Sequence, residues 1–280
     1  MKANASKRSR IQILDLAFDP LNEAEVLSRI ERAVQGRSVR KSMRYVKPYV
    51  AFFATARHDM AVRRAINDAD LVIADGISVQ WASAYLYAQR QHSLLSWMKS
   101  IVFGMQRSEW LAQVIPERGA GVDVTHRLLI HAAQRGWRIG VLGGPKEGSV
   151  ENQLKDRYPL LQIGGTWSGY FTDKQEPSIV RSVKAAKLDI LFVAMAHPKQ
   201  ELFMARHVDD GLAKVLIGEG GTFDFDQMGG EVKRAPTWLR KIGLEWLWRT
   251  LMRPTSFRKI LTIPPFMWRV YLAGHTKNLG

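Results

Sequence analysis

The chain has 280 residues, 46% of them hydrophobic, and carries 41 Lys+Arg against 26 Asp+Glu for a formal net charge of +15, with no cysteine. That apolar fraction excludes a disordered chain and, at this length, supplies a core for one or two domains. The missing thiols exclude disulfide scaffolds, zinc-thiolate sites, iron–sulfur clusters and thiol catalysis, and fit a reducing compartment.

The charge is uneven. Residues 1–50 hold 11 basic and 5 acidic side chains, residues 231–280 hold 10 and 2, and residues 51–230 are close to neutral with 20 and 19. Nucleic acid, an anionic membrane face or a polyphosphate ligand each suits two basic ends on a neutral core. The polar, basic segment Met1–Arg10 is followed by no apolar run, so no signal peptide is expected. No run reaches the 18 or so apolar residues that cross a bilayer. The expected location is the cytosol or the cytoplasmic face of a membrane.

In chain order, Leu71–Ala74 is a short apolar run ending at Asp75-Gly76. Residues 86–116 break the rhythm with Leu94, Leu95, Trp97, Met98, Ile101, Val102, Phe103, Met105, Trp110 and Leu111 among Arg90, Lys99 and Arg107. Val124, Leu128, Leu129 and Ala132 then recur at helical spacing. Trp137–Leu142 ends at Gly143-Gly144, and Leu160–Ile163 ends at Gly164-Gly165. Ile190–Ala196 ends at His197-Pro198, and Val215–Ile217 ends at Gly218-Glu-Gly-Gly221. Continuous apolar strands alternating with helical patterns predict a parallel α/β sheet, whose ligands bind at the carboxyl ends of the strands. After Thr237 the tail interleaves Trp238, Trp246, Trp248, Trp268 and Tyr271 with basic residues. Such a segment suits an interfacial helix, and equally a helical extension packed on the core.

The candidate chemistry sits at the strand ends. Gly143-Gly-Pro-Lys-Glu-Gly148 lacks the Lys-Ser/Thr that a triphosphate loop needs after its second glycine, and there is no G-x-G-x-x-G. An anion-holding turn and a purely structural turn both remain open. Asp224-Phe-Asp226 reads either as paired carboxylates for a metal or as a loop turn, and the seven histidines show no ligand spacing. Asp75 ends a buried run, where a carboxylate can take a proton from an alcohol or cap the next helix. Arg249 and Arg253 share a helical face with Arg258 close behind, a set that suits a diphosphate or a solvated basic face.

The ordered set Ala74-Asp-Gly76, Leu142-Gly-Gly144, Tyr158-Pro159 with Gly169-Tyr-Phe171, Pro198-Lys-Gln-Glu201, Gly220-Gly-Thr-Phe-Asp224, Arg234-Ala-Pro236 and Gly243-Leu-Glu-Trp246 with Arg249 and Pro254 resembles the WecG/TagA/CpsF glycosyltransferases, glycosyltransferase family 26. The resemblance spans residues 40–260. It implies a Rossmann-like parallel sheet with helices on both faces over residues 1–236, with 86–116 as an amphipathic insertion, and a basic, helical, membrane-associating appendage over 237–280. It implies inverting transfer of a hexose from a UDP-sugar to a polyprenyl-diphosphate-linked sugar, with Asp75 as general base. Arg118 and Asp123, in an Arg-x-x-Gly-x-Asp element, would line the site with Gly143, Gly144, Lys199, Gln200, Glu201, Gly220, Gly221 and Asp224. Arg249, Arg253 and Arg258 would hold the acceptor diphosphate. No obligatory metal and no cofactor are implied. The expected partners are the UDP-sugar, the lipid-linked acceptor and the anionic inner membrane surface, with no nucleic acid and with a homo-oligomer left open.

Three stretches depart from the family pattern. Lys47-Pro48-Tyr49 stands where a Thr-x-Asn element is usual, Ala196-His197 replaces Gly-Ser, and the 86–116 link is long. The long link resembles an exopolysaccharide-building, xanthan-type glucosyltransferase branch, which favours glucose, with N-acetylmannosamine or its uronic acid next. A basic nucleic-acid-binding protein and an inactive membrane scaffold are the alternatives.

Overall fold

The computed structural model describes residues 9–36, 41–89, 91–117, 121–144, 149–225, 228, 233, 235–236, 248 and 260–277. A small antiparallel hairpin, β1 (Ile11–Ile13) and β2 (Leu16–Phe18), precedes the main sheet. That sheet comprises β3 (Met43–Val46), β4 (Leu71–Val72), β5 (Arg138–Gly143), β6 (Gln162–Trp167), β7 (Leu188–Ala194) and β8 (Ala213–Gly218). Its order is β4-β3-β8-β7-β5-β6, and every pairing is parallel. The helices are α1 (Glu23–Gln35), α2 (Val50–His58), α3 (Met60–Asn67), α4 (Ile77–Tyr87), α5 (Leu94–Val102), α6 (Ser108–Leu111), α7 (Gly121–Arg135), α8 (Ser149–Arg157), α9 (Glu176–Ala185), α10 (Lys199–Arg206) and α11 (Ile263–Lys277).

The strands read as continuous apolar runs because both faces are covered. Side chains alternate across the pleat, so Leu191 and Val193 of β7 join one core while Ile190 and Phe192 join the other. The first core takes α2, α3, α4 and α10, together with Phe266 and Val270 of α11. The second takes Val26, Ile30 and Val34 of α1 with Leu128, Leu129 and Ala132 of α7. Helix α1 starts at a capping box, in which Asn22 Oδ1 accepts from the Glu25 amide and Glu25 Oε2 accepts from the Asn22 amide, both at 2.9 Å. The free edge of β4 is covered by Asp19, whose amide donates to the Val72 carbonyl and whose Oδ2 accepts from the Val72 amide.

The α/β architecture expected from the sequence is the one the chain adopts. Two details differ. The run before Gly164-Gly165 does not stop there, because β6 continues through both glycines to Trp167. A side chain at Gly164 would meet Leu188 Cδ2 at 2.4 Å, so glycine is a packing requirement within the strand. Strand β3 has no simple apolar run, since Arg44 interrupts it. Arg44 is buried and donates to the carbonyls of Ala65 (3.1 Å) and Asp68 (2.6 Å). Burial lowers the pKa of this guanidinium, with Asp70, Asp68 and Asp209 opposing the shift.

The tail's last helix packs on the body. Phe266 lies 4.6 Å from Phe53 between ring centroids, and Arg269 pairs with Asp15 at 2.5 Å. Helix α5 docks on α11 through Trp97, whose Nε1 donates to the Met267 carbonyl at 3.2 Å and whose ring lies edge-on to Trp268. Among the described residues no helix is long and apolar enough to cross a membrane.

Candidate active site

The carboxyl ends of β3, β4, β5, β7 and β8 open on one rim of the sheet, and most of the sequence-derived candidates stand there. Asp75 lies three residues past β4 and is half-buried. Its amide donates to the Pro48 carbonyl at 3.0 Å, which ties it to the exit of β3. Gly76, with φ +87°, takes the N-cap position of α4, so Asp75 is not the capping residue. Among the described residues nothing lies within 4 Å of where a Gly76 side chain would project, and the same holds at Gly220, with φ +56°. Two turns with left-handed glycines, beside Asp75 and at the β8 exit, therefore face space that no described residue fills.

Beneath this rim lies a buried ion pair. Lys47 Nζ donates to Glu219 Oε1 at 2.6 Å, and the two side chains are 5% and 1% exposed. Thr125 Oγ1, on the first turns of α7, donates to the same oxygen at 2.8 Å. This contact brings the N-terminal end of α7, with Asp123 in its first turn, over the end of β8. Glu219 Oε2 and the Tyr45 hydroxyl are buried with no hydrogen-bond partner among the described residues. Burial pushes the Tyr45 phenol well above its ordinary pKa, and the Glu219, Asp75 and Glu23 carboxylates add to the shift. Glu219 and Asp75 thus both act on one neutral phenol.

At the β5 exit Gly143 and Gly144 have φ of +101° and +88°. The Gly144 amide donates to the Ala194 carbonyl at 3.0 Å, and a side chain on Gly143 would meet that oxygen at 2.3 Å. Only glycine permits this approach of β5 to β7. At the β7 exit Ala196 adopts a left-handed φ of +61°. Lys199 Nζ donates to the Gly169 carbonyl at 2.9 Å and lies 4.2 Å from the centre of the Phe171 ring. Gln200 and Glu201 are buried at 3% and 1% exposure. Gln200 Nε2 donates to Glu201 Oε1 at 2.6 Å, while Gln200 Oε1 accepts the Gly220 amide at 2.9 Å. Glu201 Oε2 holds His197 Nδ1 at 2.9 Å. Asp224 closes a single 3₁₀ turn, Thr222–Asp224, beyond Gly221. Among the described residues no group of three His, Asp or Glu side chains is set up to hold a metal.

The fold therefore gathers Asp75, Asp123, Gly143, Gly144, Lys199, Gln200, Glu201, Gly220, Gly221 and Asp224 around the strand ends. Arg118, Arg249, Arg253, Arg258 and Asp226 lie outside the described residues. Sequence reasoning passed over Glu219 and Thr125. Glu219 carried the same signal as Asp75, an acidic residue directly after a buried strand, whereas Thr125 looked like one polar position on an amphipathic helix.

A sequence model of the glycosyl transferase WecG/TagA/CpsF family matches residues 11–107 and 100–279. A protein of Bacillus subtilis strain 168, named N-acetylglucosaminyldiphosphoundecaprenol N-acetyl-beta-D-mannosaminyltransferase, is 33% identical over 154 residues. A protein of the same name from Bacillus spizizenii strain W23 is 32% identical over 165 residues. These matches cover 54% and 58% of this chain and 59% and 63% of the relatives, so the chain aligns with about three-fifths of their length. With a family match running over nearly its whole length, the chain belongs to the WecG/TagA/CpsF family of glycosyl transferases.

Proposed function

We propose that the chain transfers a hexose from a UDP-sugar to a polyprenyl-diphosphate-linked sugar, with inversion at the anomeric carbon, in the assembly of an exopolysaccharide or surface polysaccharide. The observation that carries this reading is Asp75, half-buried past the carboxyl end of β4 beside the Gly76 turn, where no described residue fills the space a side chain on Gly76 would take. The acceptor hydroxyl gives its proton to the Asp75 carboxylate as its oxygen bonds to the anomeric carbon. The bond to the UDP oxygen breaks, and UDP leaves with the electron pair. The leaving diphosphate carries growing negative charge, which amides and cations must meet. In this reading Lys199 and Arg118 meet it, the Gly143-Gly144 and Gly220-Gly221 turns let it come close to the backbone, and Asp123 and Asp224 orient sugar hydroxyls. Arg249, Arg253 and Arg258 hold the acceptor diphosphate. Gln200 and Glu201 act by shaping the β7 and β8 exits, given how their side chains are engaged. No resident metal or cofactor enters the proposal.

Two donors are in view. The long 86–116 link supports glucose through its likeness to the xanthan-type branch. The names of the Bacillus relatives support N-acetylmannosamine. The lipid-linked acceptor suggests peripheral attachment to the cytoplasmic face of the membrane. In support, Leu94, Leu95, Met98, Val102 and Phe103 around α5, and Leu261, Trp268 and Leu272 around α11, are 45% to 62% exposed. Lys99 and Arg107 flank this apolar surface. An amphipathic surface of this composition suits an anionic leaflet.

The test is transfer from a panel of UDP-sugars to polyprenyl-diphosphate N-acetylglucosamine and polyprenyl-diphosphate glucose, with and without chelator. Transfer from one donor is expected, with Asp75→Asn lowering the rate by about 10²–10⁴. Full activity of Asp75→Asn would sink the assignment of the base, and chelator-sensitive transfer would add a metal.

A further inference from the structure

We propose that Lys47 and His197 are positioning residues for Asp75. They clamp the Lys47-Pro48-Tyr49 turn at its two ends, so that the Pro48 carbonyl between them fixes the backbone of residue 75. The proposal rests on the assignment of Asp75 as the base. Its geometry is independent of which sugar is moved.

The Asp75 amide hangs on the Pro48 carbonyl at 3.0 Å, so any shift of Pro48 shifts Asp75. On one side of Pro48, Lys47 is held by Glu219, which Thr125 also holds. On the other side, the Tyr49 ring packs edge-on against Phe52, with centroids 5.0 Å apart. Phe52 stacks on the His197 imidazole at 3.8 Å and an interplanar angle of 20°. His197 Nδ1 bonds to Glu201 Oε2, Glu201 Oε1 accepts from Gln200, and Gln200 accepts the Gly220 amide. Gly220 follows Glu219 in the chain, so the contacts close into a ring that joins the exits of β3, β7 and β8. Two stretches that depart from the family pattern, some 150 positions apart in the chain, meet in this ring.

The chemistry of the ring argues for placement over packing. A buried ion pair and a buried His–Glu–Gln chain carry desolvation costs that apolar side chains of the same volume would avoid. What directional polar contacts add is one defined arrangement of the groups they join. Ala196 supports the same view. A left-handed alanine is held only where the surroundings over-determine it, and such residues gather at functional sites. The Gln200 amide donates to the Ala196 carbonyl at 3.1 Å, and His197 anchors the next residue. A displaced base matters because misplacement by about 1 Å can cost on the order of 10²-fold in rate.

Two substitutions separate the contacts of His197. His197→Phe keeps a ring on Phe52 and loses the bond to Glu201, whereas His197→Asn keeps a donor for Glu201 and loses the ring. The full chain is assayed with UDP-glucose and UDP-N-acetylmannosamine, and the Asp75 amide is followed by residue-resolved hydrogen exchange, which needs no turnover. In both variants the Asp75 amide is expected to exchange about tenfold faster or more, while amides of β5 keep their protection. The turnover rate is expected to fall about 10- to 100-fold, with the donor KM little changed. In an Asp75→Asn background the same substitutions should cost less than about twofold, because residues that act through the base have nothing left to place. Lys47→Met should behave alike, provided it folds. Unchanged exchange at Asp75 in both His197 variants would overturn the proposal. So would losses that persist undiminished in the Asp75→Asn background. Full transfer by Asp75→Asn is a different failure, that of the base assignment, and the exchange readout then still decides whether the clamp holds residue 75.

Discussion

Replacing Lys47 by methionine isolates the energetics of the buried pair. The substitution keeps the length of the apolar stem and removes the ammonium. Glu219, 1% exposed, is then left as a charge below the rim, with the Thr125 hydroxyl as its remaining described hydrogen-bond donor. Breaking one side of a buried pair costs about 3–5 kcal/mol. That is a large share of the roughly 5–15 kcal/mol that stabilises a domain, and for a chain of this size it lowers Tm by about 10 °C. The double variant Lys47→Met/Glu219→Leu removes the stranded charge as well. It should recover most of the loss, short of about 1–2 kcal/mol for the lost Thr125–Glu219 hydrogen bond. Urea denaturation followed by tryptophan fluorescence and circular dichroism gives all three stabilities. A single variant within about 1 kcal/mol of the parent, or a double variant no more stable than the single, would refute the reasoning.

Alkaline pH probes another buried group. Tyr85 is fully buried, and burial pushes its phenol from 10.0 up to about 12. A folded-state pKa above the unfolded one leaves stability intact below pH 10 and erodes it as pH rises toward 12, by up to about 3 kcal/mol. Tyr85→Phe should flatten that part of the decline in urea midpoints between pH 9 and 11, and an identical decline would count against it. On the outer side of α5, replacing Leu95, Met98, Val102 and Phe103 together by serine should lower flotation with phosphatidylglycerol vesicles at least tenfold while circular dichroism stays unchanged. Undiminished flotation would remove α5 from the membrane-facing surface.

Strands were legible where they were fully apolar. Ile190–Ala196 and Val215–Ile217 foretold β7 and β8 because both faces of these strands are covered and the pattern carries no interruption. Strand β3, which carries Lys47 at its exit, escaped notice because Arg44 satisfies its guanidinium on backbone carbonyls, which no local pattern announces. Glycines were legible as turn markers at positions 143, 144 and 220 and misleading at 164 and 165. In β6 Gly164 is small to admit Leu188, from a different strand, and Gly165 to admit Trp167 of its own strand, demands that the local pattern does not announce. The same limit hid the partners of Lys47 and His197. A departure from a motif is visible in one sequence, but the contact that accommodates it is not.

The strand order also bears on how the chain is made. Lys47 and Glu219 are 172 residues apart, and β3 finds its inner neighbour only in β8. At ordinary rates of synthesis about 10–30 s separate their emergence from the ribosome. During that interval the first strands can pair only with each other, and their inner edge stays open. Nonlocal pairing of this kind is slow to close. The first strands would therefore depend on the α1–α4 helices, or on a chaperone, to stay unaggregated until the late strands arrive.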